Sequence, residues 1–354
     1  MQELIFKNDK NDYLSVSKYI NWNNESIISK ALEFKNKNVD EISLIKAIYE
    51  YVRDEIKHSW DVQDKRITKS ATEVLEQGVG ICWGKVNLLA ALLRACGILV
   101  GICYQRLTLG DTPETGFCIH ALNAIYIKSL DKWIRVDARG NKEGVNAQFD
   151  LENEKLAFLV RKDIGEVDYR IVYANPLDKL MRVLEENTDM IHVYLNNLPD
   201  TVFNYKRATI EDIDELVRTK INVFREVNKL SSDEDIFILK QNLYTYYKQA
   251  LKINEHIAYI VYDDMNLIGT GDVSISHGMP NYYNSSGKKA CIMNIYTVPE
   301  YRRKRVAFHI LDLLIKNVKE QGISQITLET TDKGQIIFKK YGFVKKFNEM
   351  ELKV

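Results

Sequence analysis

Cys82 stands in the run Gly78-Val79-Gly80-Ile81-Cys82-Trp83-Gly84-Lys85, directly ahead of residues 86–97, which are apolar on nearly every face until Gly97 stops them. That pattern predicts a buried helix with the cysteine at its first turn. The positive end of the helix dipole favours thiolate over thiol there, the form a cysteine nucleophile needs. Glycines on both sides let the chain turn sharply and let a substrate approach the backbone. A thiolate works with a base, and the base with an orienting acid. His120 opens the strand-like run 120–126, and the next such run, 132–137, ends in Asp137. Paired as a hairpin, the two runs would let Asp137 bond the far nitrogen of His120 and fix its tautomer. The chemistry of such a set is acyl transfer. Thiolate attacks an amide carbonyl, the imidazole protonates the leaving amine, and water or a second amine resolves the thioester. The Cys82 backbone N–H and a neighbouring donor would hold the oxyanion, with Gln77 one side-chain candidate.

A second constellation lies in the other half. Residues 293–298 read as a strand that runs into Arg302-Arg303-Lys304-Arg305, and the loop opens a helix with apolar positions Val306, Ile310, Leu313, Leu314 and Val318. A helix start offers free N–H groups and positive dipole to a phosphate, and four basic side chains add charge. An exposed basic turn without a ligand has the same composition, and the charge run alone favours that plainer reading.

The elements that position these residues follow from pattern. Residues 25–34 and 41–56 read as helices, the second with a buried face at Ile45, Ile48, Tyr49, Val52 and Ile56. Strands are expected at 99–107, 121–127 and 133–137, giving one long helix on an antiparallel sheet, an α+β layout. Asn175-Pro176 precedes a helix at 177–186, and Leu198-Pro199-Asp200 marks a boundary. Two domains are expected, 1–199 and 200–354. The second reads as a strand (202–206), a helix capped by Thr209 (210–223) and a helix after Ser231, whose Ser231-x-x-Glu234 spacing fits a capping box. A hairpin (258–262 and 267–275), a strand (290–298), a helix (306–321), a strand (326–330) and a short helix (335–341) complete it.

Bulk properties narrow the classes. At 354 residues the chain exceeds one typical core, and its formal net charge of zero gives no reason to expect nucleic acid or an anionic membrane as partner. The longest apolar stretches fall short of a membrane span, and the opening residues lack a signal peptide's basic and apolar regions, so a cytoplasmic location is expected. Five cysteines, odd in number and without CxxC pairing, argue against structural disulfides and against a zinc ribbon; no metal is expected. His58 and His192 read as structural, and Trp83 and Lys85 as packing or solvent-facing residues, with lining of the groove as the alternative.

The order Cys82, His120, Asp137 in these contexts resembles the transglutaminase-like superfamily of cysteine enzymes. The residues that carry the resemblance are Ser70-Ala71-Thr72-Glu73-Val74-Leu75 leading to Gly80-Ile81-Cys82, then Leu92-Leu93-Arg94-Ala95-Cys96-Gly97-Ile98. His120-Ala121-Leu122-Asn123 and Trp133-Ile134-Arg135-Val136-Asp137-Ala138-Arg139-Gly140-Asn141 continue it, over roughly residues 40–150. The resemblance implies a papain-like cysteine domain with Cys82 as nucleophile, His120 as general base and Asp137 as orienting acid. The Trp and Glu frequent after the family's histidine are Leu122 and Ala124 here.

Residues 201–350 resemble the GNAT superfamily of N-acetyltransferases, a mixed α/β fold. Arg207-Ala208-Thr209-Ile210-Glu211-Asp212-Ile213-Asp214 matches its first strand and helix, and the segments 293–307, 326–335 and 338–343 match its later ones. The resemblance implies acetyl-CoA as cofactor. Its pyrophosphate would lie on the loop and helix start Arg302, Arg303, Lys304, Arg305, Val306 and Ala307, and its pantetheine arm along the backbone of Ile295, Tyr296 and Val298. Arg305 stands where the family has a glycine, and Phe338 where it often has a tyrosine acid. Tyr341, three residues on, is turned away by about 300°. Glu329, Asp272 and Tyr296 read equally as base or water-chain members and as ordinary strand polarity, and none is assigned a catalytic role. The reading is an acetyl-CoA-dependent N-acetyltransferase joined to a Cys-His-Asp amidase, peptidase or transamidase, acting on a small-molecule or peptide amine. The alternatives are an N-terminal domain that only binds substrate, or an acetyl-CoA site that regulates a cysteine amidase.

Overall fold

A computed structural model describes residues 3–228, 236–263, 265–331 and 334–346. The capping box expected at Ser231 and Glu234 lies outside the described residues, as do positions 332–333 of the C-terminal motif. The chain divides into two compact units, Met1–Val202 and Phe203–Val354.

The N-terminal unit runs β1 (Ile5–Phe6), α1 (Glu25–Lys37), α2 (Glu41–Asp54), β2 (Lys57–His58), α3 (Ala71–Gln77), β3 (Val79–Gly80) and α4 (Cys82–Ala95). It continues with β4 (Val100–Thr108), β5 (Phe117–Ile127), β6 (Lys132–Val136), β7 (Val167–Asp168), β8 (Ile171–Val172), α5 (Asp178–Glu185) and the single turn α6 (Met190–His192). Asn24, Asp40 and Ser70 each accept an N–H of the first turn of the helix they precede, which fixes where α1, α2 and α3 begin. Thirteen of the fourteen residues of α4 are buried, because α1, α2 and α3 pack on it from one side and β4 and β5 from the other. Leu88, Leu89, Leu92 and Leu93 have no exposed surface, and each contributes about 1.5–3 kcal/mol by leaving water.

The sheet has the order β6-β5-β4-β7 and is antiparallel throughout. His120 does not open its strand: Phe117, Cys118 and Ile119 already pair with Thr108, Leu107 and Arg106, so His120 is its fourth residue, opposite Gln105. Asn123 Nδ2 donates to the Val86 carbonyl at 3.1 Å and ties the middle of β5 to α4.

The C-terminal unit runs β9 (Asn204–Arg207), α7 (Ile213–Asn228), α8 (Phe237–Lys252), β10 (His256–Asp263), β11 (Asn266–His277), β12 (Lys288–Thr297), α9 (Val306–Glu320), β13 (Ile326–Leu328) and α10 (Gln335–Tyr341). Its sheet has the order β13-β12-β11-β10-β9, antiparallel except for the β12–β13 pair. Leu216, Val217, Ile221 and Tyr247 form one core with Ala258 and Ile260. α9 packs on β10, β11 and β12, closely enough that a Cβ on Gly271 would lie 2.4 Å from Ile310 Cγ2. β13 pairs with β12 only at Ala290, Cys291 and Ile292; past that point, among the described residues, no strand takes this edge of β12. At the same place β11 and β12 slip register, Gly271 facing both Asn294 and Ile295, and Asn294 takes φ 54°.

Candidate functional site

Cys82 is the first residue of α4, after an extended Ile81 at its N-cap. Its place is set from two directions. The pairing of His58 with Gly80 and the bond from Thr68 Oγ1 to the Val79 carbonyl (2.8 Å) hold the approach. Gly84 lets the first turn press inward, where an added Cβ would lie 2.9 Å from the Thr68 carbonyl oxygen and 3.0 Å from Val74. The Cys82 N–H has no carbonyl one turn earlier in its own helix, and the helix dipole adds positive potential.

The hairpin β5–β6 carries Asp137 just past its end, and Asp137 Oδ2 lies 2.8 Å from His120 Nε2. Asp137 is fully buried and receives the N–H groups of Arg139 on Oδ1 (3.1 Å) and Ala157 on Oδ2 (3.1 Å). With Nε2 committed to Asp137, Nδ1 is the ring nitrogen left for Cys82, which lies near enough for its charge to act on His120. Burial, the largest influence on His120, pulls its pKa down. The charges of Asp137 and Cys82 and the bonds to both outweigh burial and raise it. Asp137 is shifted the other way: burial raises its pKa, but the His120 charge and hydrogen bonds from His120, Ala157 and Arg139 hold it below the ordinary carboxylate value. The arrangement favours a protonated His120 against the Asp137 carboxylate.

These groups open on a cavity of about 640 Å³ whose walls include His58, Cys82, His120, Arg139, Phe158 and Tyr194. The Phe158 ring meets the His120 ring edge to face at 5.1 Å. Arg139 forks onto Asp61, with Nη1–Oδ2 and Nη2–Oδ1 distances of 2.5 and 2.8 Å. Trp60 stacks on Tyr194 at 4.0 Å between ring centres. Asp61, Trp60, Phe158 and Tyr194 were not singled out by sequence, and Arg139 entered only as part of a motif. Their partners sit far along the chain, and only the order of α4, β5 and the loop after β6 brings them together. His58, expected to be structural, lines the same cavity. Burial and then the Arg139 charge push its pKa well below the ordinary value, and its buried Nδ1 has no hydrogen-bond partner among the described residues.

Gln77 is not brought to this site. It is exposed at the end of α3, and its Oε1 accepts from Arg66 at 3.0 Å. Trp83 is buried and donates to the Ile119 carbonyl (2.8 Å). Lys85 is buried too, its ammonium donating to the carbonyls of Arg53, Ile56 and Arg139. Burial, then the Arg139 charge, pull the Lys85 pKa down to about 7. The five cysteines are all free, and no group of three metal-ligating side chains occurs among the described residues. No helix of the described residues is long and apolar enough to cross a membrane.

In the C-terminal unit, β12 carries Ile295 and Tyr296 past the point where β13 ends, Tyr296 pairing with Thr270 of β11, and Val298 follows with its N–H on the Ile268 carbonyl. Residues 302–305 form the loop before α9, with Arg303 at φ 65° and Arg305, the N-cap, at φ 61°. The first bond of the helix is His309 N–H to the Arg305 carbonyl (3.0 Å), so the N–H groups of Val306, Ala307 and Phe308 lie in the turn that has no earlier helical carbonyl. The left-handed conformation of Arg305 accounts for a glycine being usual there, since it costs a residue with a Cβ about 1–2 kcal/mol. Phe338 is buried, and the Tyr341 hydroxyl donates to Asp312 of α9 at 2.7 Å.

Residues 28–138, which contain Cys82, His120 and Asp137, match the family model of the transglutaminase-like superfamily. Residues 224–343 match that of the acetyltransferase (GNAT) family. No curated protein matches the chain. Among solved structures, a predicted acetyltransferase with acetyl-CoA from Clostridium acetobutylicum is 29% identical and covers 43% of this chain and 96% of its own, with a TM-score of 0.40. A GCN5-related N-acetyltransferase from Ralstonia eutropha is 17% identical over 43% of this chain and 98% of its own (TM-score 0.38). Glucosamine-6-phosphate N-acetyltransferase from Arabidopsis thaliana is 14% identical over 43% and 97% (TM-score 0.34). The chain thus joins a domain of the transglutaminase-like superfamily to an acetyltransferase domain of the GNAT family.

Proposed function

We propose that the chain carries two acyl-transfer sites, a Cys82–His120–Asp137 amidase or transamidase in its N-terminal unit and an acetyl-CoA-dependent N-acetyltransferase in its C-terminal unit. The observation that carries the first is the 2.8 Å His120–Asp137 contact, with the cysteine at a helix start on the wall of the same cavity. His120, held protonated against Asp137, offers a cation to the Cys82 sulfur and stands ready as the acid. The Cys82 sulfur attacks a substrate carbonyl, the Cys82 N–H receives the developing oxyanion, and the His120 proton goes to the leaving amine. His58, neutral and on the same wall, is the side chain able to supply a second donor. The resulting thioester is resolved by water or an amine, whose proton returns to His120. Asp137 holds the imidazole in place throughout, fixed itself by two backbone N–H groups.

The residues of the C-terminal unit fit acetyl-CoA. The backbone N–H groups of Val306 and Ala307 and the cationic stretch Arg302, Arg303, Lys304 and Arg305 suit a pyrophosphate. The stretch of β12 beyond the end of β13, around Ile295, Tyr296 and Val298, suits an amide-bearing arm along its side away from β11. Bound there, the cofactor supplies an acetyl thioester to an amine held beside it. With Tyr341 committed to Asp312, a tyrosine acid is not part of this mechanism. The first site acts on an amide and the second on an amine, small-molecule or peptide, and a cytoplasmic setting is part of the proposal, since it keeps Cys82 reduced.

Iodoacetamide tests the first site: Cys82 is expected to label faster in the native chain than in the denatured chain at neutral pH, and equal or slower labelling contradicts an activated thiolate. Calorimetric titration with acetyl-CoA tests the second. One site per chain is expected, and no heat of binding contradicts the reading.

A further inference from the structure

The C-terminal unit contains a polar cluster that the nucleotide-binding loop does not use. Asp272 of β11 and His256 of β10 are each only 2% exposed. Asp272 Oδ2 accepts from Tyr247 Oη of α8 (3.1 Å) and from Asn294 Nδ2 of β12 (2.6 Å). His256 Nδ1 lies 3.2 Å from the Tyr246 hydroxyl, and its Nε2 lies 3.5 Å from Asp272 Oδ2, beyond good hydrogen-bond length. Two buried atoms, Asp272 Oδ1 and His256 Nε2, have no hydrogen-bond partner among the described residues. A buried carboxylate with an open oxygen beside an open imidazole nitrogen is costly unless something with N–H groups completes it.

The cluster also lies at a telling place. Asn294 is the residue on which the β11–β12 register slips, just beyond the point where β13 leaves β12. An arm running along that free edge brings its thioester end to this bulge. Asn294 is half-buried and Tyr246 exposed, so they are the cluster's members nearest solvent. Lys220 of α7 donates to Asn294 Oδ1, which turns the Asn294 N–H group onto Asp272. The titratable groups facing the pair are therefore Lys220, through Asn294, together with Tyr246 and Tyr247. Burial, then the Asp272 charge, raise the pKa of Tyr247 and keep it a phenol donor.

We propose that Asp272 and His256 form the seat of the acceptor's ammonium group and take the proton that the amine must shed before attack. This rests on reading the unit as an acetyl-CoA-dependent N-acetyltransferase. An alkylammonium displaces the Asn294 N–H from Asp272, and its own N–H groups reach the two open atoms. One proton passes to the Asp272–His256 pair, and the freed nitrogen lone pair attacks the thioester carbonyl. The C–N bond forms, the C–S bond breaks, and the nitrogen's second proton goes to the departing thiolate. The proton held by the pair is then released to water. The sum is ammonium plus acetyl thioester giving N-alkylacetamide, thiol and one proton.

The test uses the full chain saturated with CoA, titrated calorimetrically with n-butylammonium, phenethylammonium and spermidine, with n-butanol as neutral control. At least one ammonium is expected to bind wild type, to bind Asp272→Asn at least about tenfold more weakly, and to leave CoA affinity unchanged; the butanol should not bind. For that ammonium, CoA release should show a matching loss in kcat/KM in Asp272→Asn and a smaller one in His256→Gln. If Asp272→Asn fails to fold, a wild-type crystal soaked with CoA and the same three ammonium ions decides. An ammonium nitrogen on the Asp272 carboxylate supports the proposal, and one seated elsewhere or none at all overturns it. Equal ammonium affinity in wild type and Asp272→Asn overturns it too, as does CoA binding without binding of any ammonium. Failure of wild type to bind CoA is a separate result, and overturns the acetyltransferase reading beneath it.

Discussion

Asp137→Asn separates a catalytic carboxylate from a merely structural one, because the substitution keeps the volume and removes the charge. In the native chain the carboxylate takes three donors: Arg139 N–H on Oδ1, and Ala157 N–H and His120 Nε2 on Oδ2. The amide NH2 of asparagine must occupy one of those oxygen positions. At the Oδ2 position it would oppose two donors, so the cheaper choice is Oδ1, where it orphans the Arg139 N–H at about 1–3 kcal/mol. Loss of the charge facing His120 adds to this, and about 3 kcal/mol in all is expected. All four tryptophans, Trp22, Trp60, Trp83 and Trp133, lie in the N-terminal unit. Tryptophan fluorescence during urea unfolding therefore reports that unit alone. The chemical readout is alkylation by iodoacetamide at about pH 6, where ordinary thiols are almost wholly protonated. Burial pushes the Cys103 and Cys118 thiols up to about 12 and raises Cys96, so those three stay silent. Without the anion behind it, His120 no longer holds a proton beside Cys82. Labelling of Cys82, read by peptide mass, should then fall about tenfold or more, and recover as the pH is raised. If the variant loses stability but labels at the wild-type rate, Asp137 only caps a loop and the triad reasoning fails.

Three further outcomes follow from other residues. His58 is held neutral when folded, so the unfolded chain binds the extra proton below about pH 6.5, and stability falls as pH drops through that point at about 1.4 kcal/mol per unit. His120, whose pKa is raised, stays protonated in the folded chain, and its opposing slope fades as the unfolded chain takes up that proton below about pH 6.5. His58→Gln should flatten the fluorescence-detected slope between about pH 6.5 and 5.5, and an unchanged slope contradicts the assignment. Lys85→Met should destabilise the N-terminal unit by about 3 kcal/mol, because three buried carbonyls lose their shared donor; a neutral effect in urea unfolding would show that they find other partners. Arg305→Gly relieves a left-handed residue by about 1–2 kcal/mol but gives the unfolded chain about 0.5–1 kcal/mol of extra freedom. Hydrogen exchange in α9 should therefore slow slightly or stay unchanged, and faster exchange would mean that the Arg305 side chain, lying over the Phe308 ring at 4.8 Å, supplies the larger share.

Much of the scaffold was legible because periodicity and caps are local. Thr209 caps the turn that leads into α7, as its place ahead of residues 210–223 predicts, and the all-round apolar stretch after Cys82 could only be a central helix. His120 and Asp137 were legible as a pair because a hairpin is the shortest link between two strands, and one turn sets their distance. The walls of the cavity were not. Asp61 meets Arg139 across 78 positions, and Trp60 stacks on Tyr194 only after the chain has crossed the whole sheet. His58 looked structural because nothing local ties it to Cys82; the parallel pairing of β2 with β3 does so. Asp272 was one of three residues that read equally as base and as strand polarity, and only the slipped register of β12, which turns Asn294 onto it, sets it apart.

The most direct test of the nucleophile is capture of its acyl intermediate. Wild-type chain mixed with p-nitrophenyl acetate and quenched in acid within the first turnover should carry one acetyl group on the peptide that holds Cys82. Cys82→Ser should carry none that accumulates, and His120→Ala should acquire it far more slowly. An acetyl group found only on surface lysines, with Cys82 unmodified in the folded chain, would contradict the account.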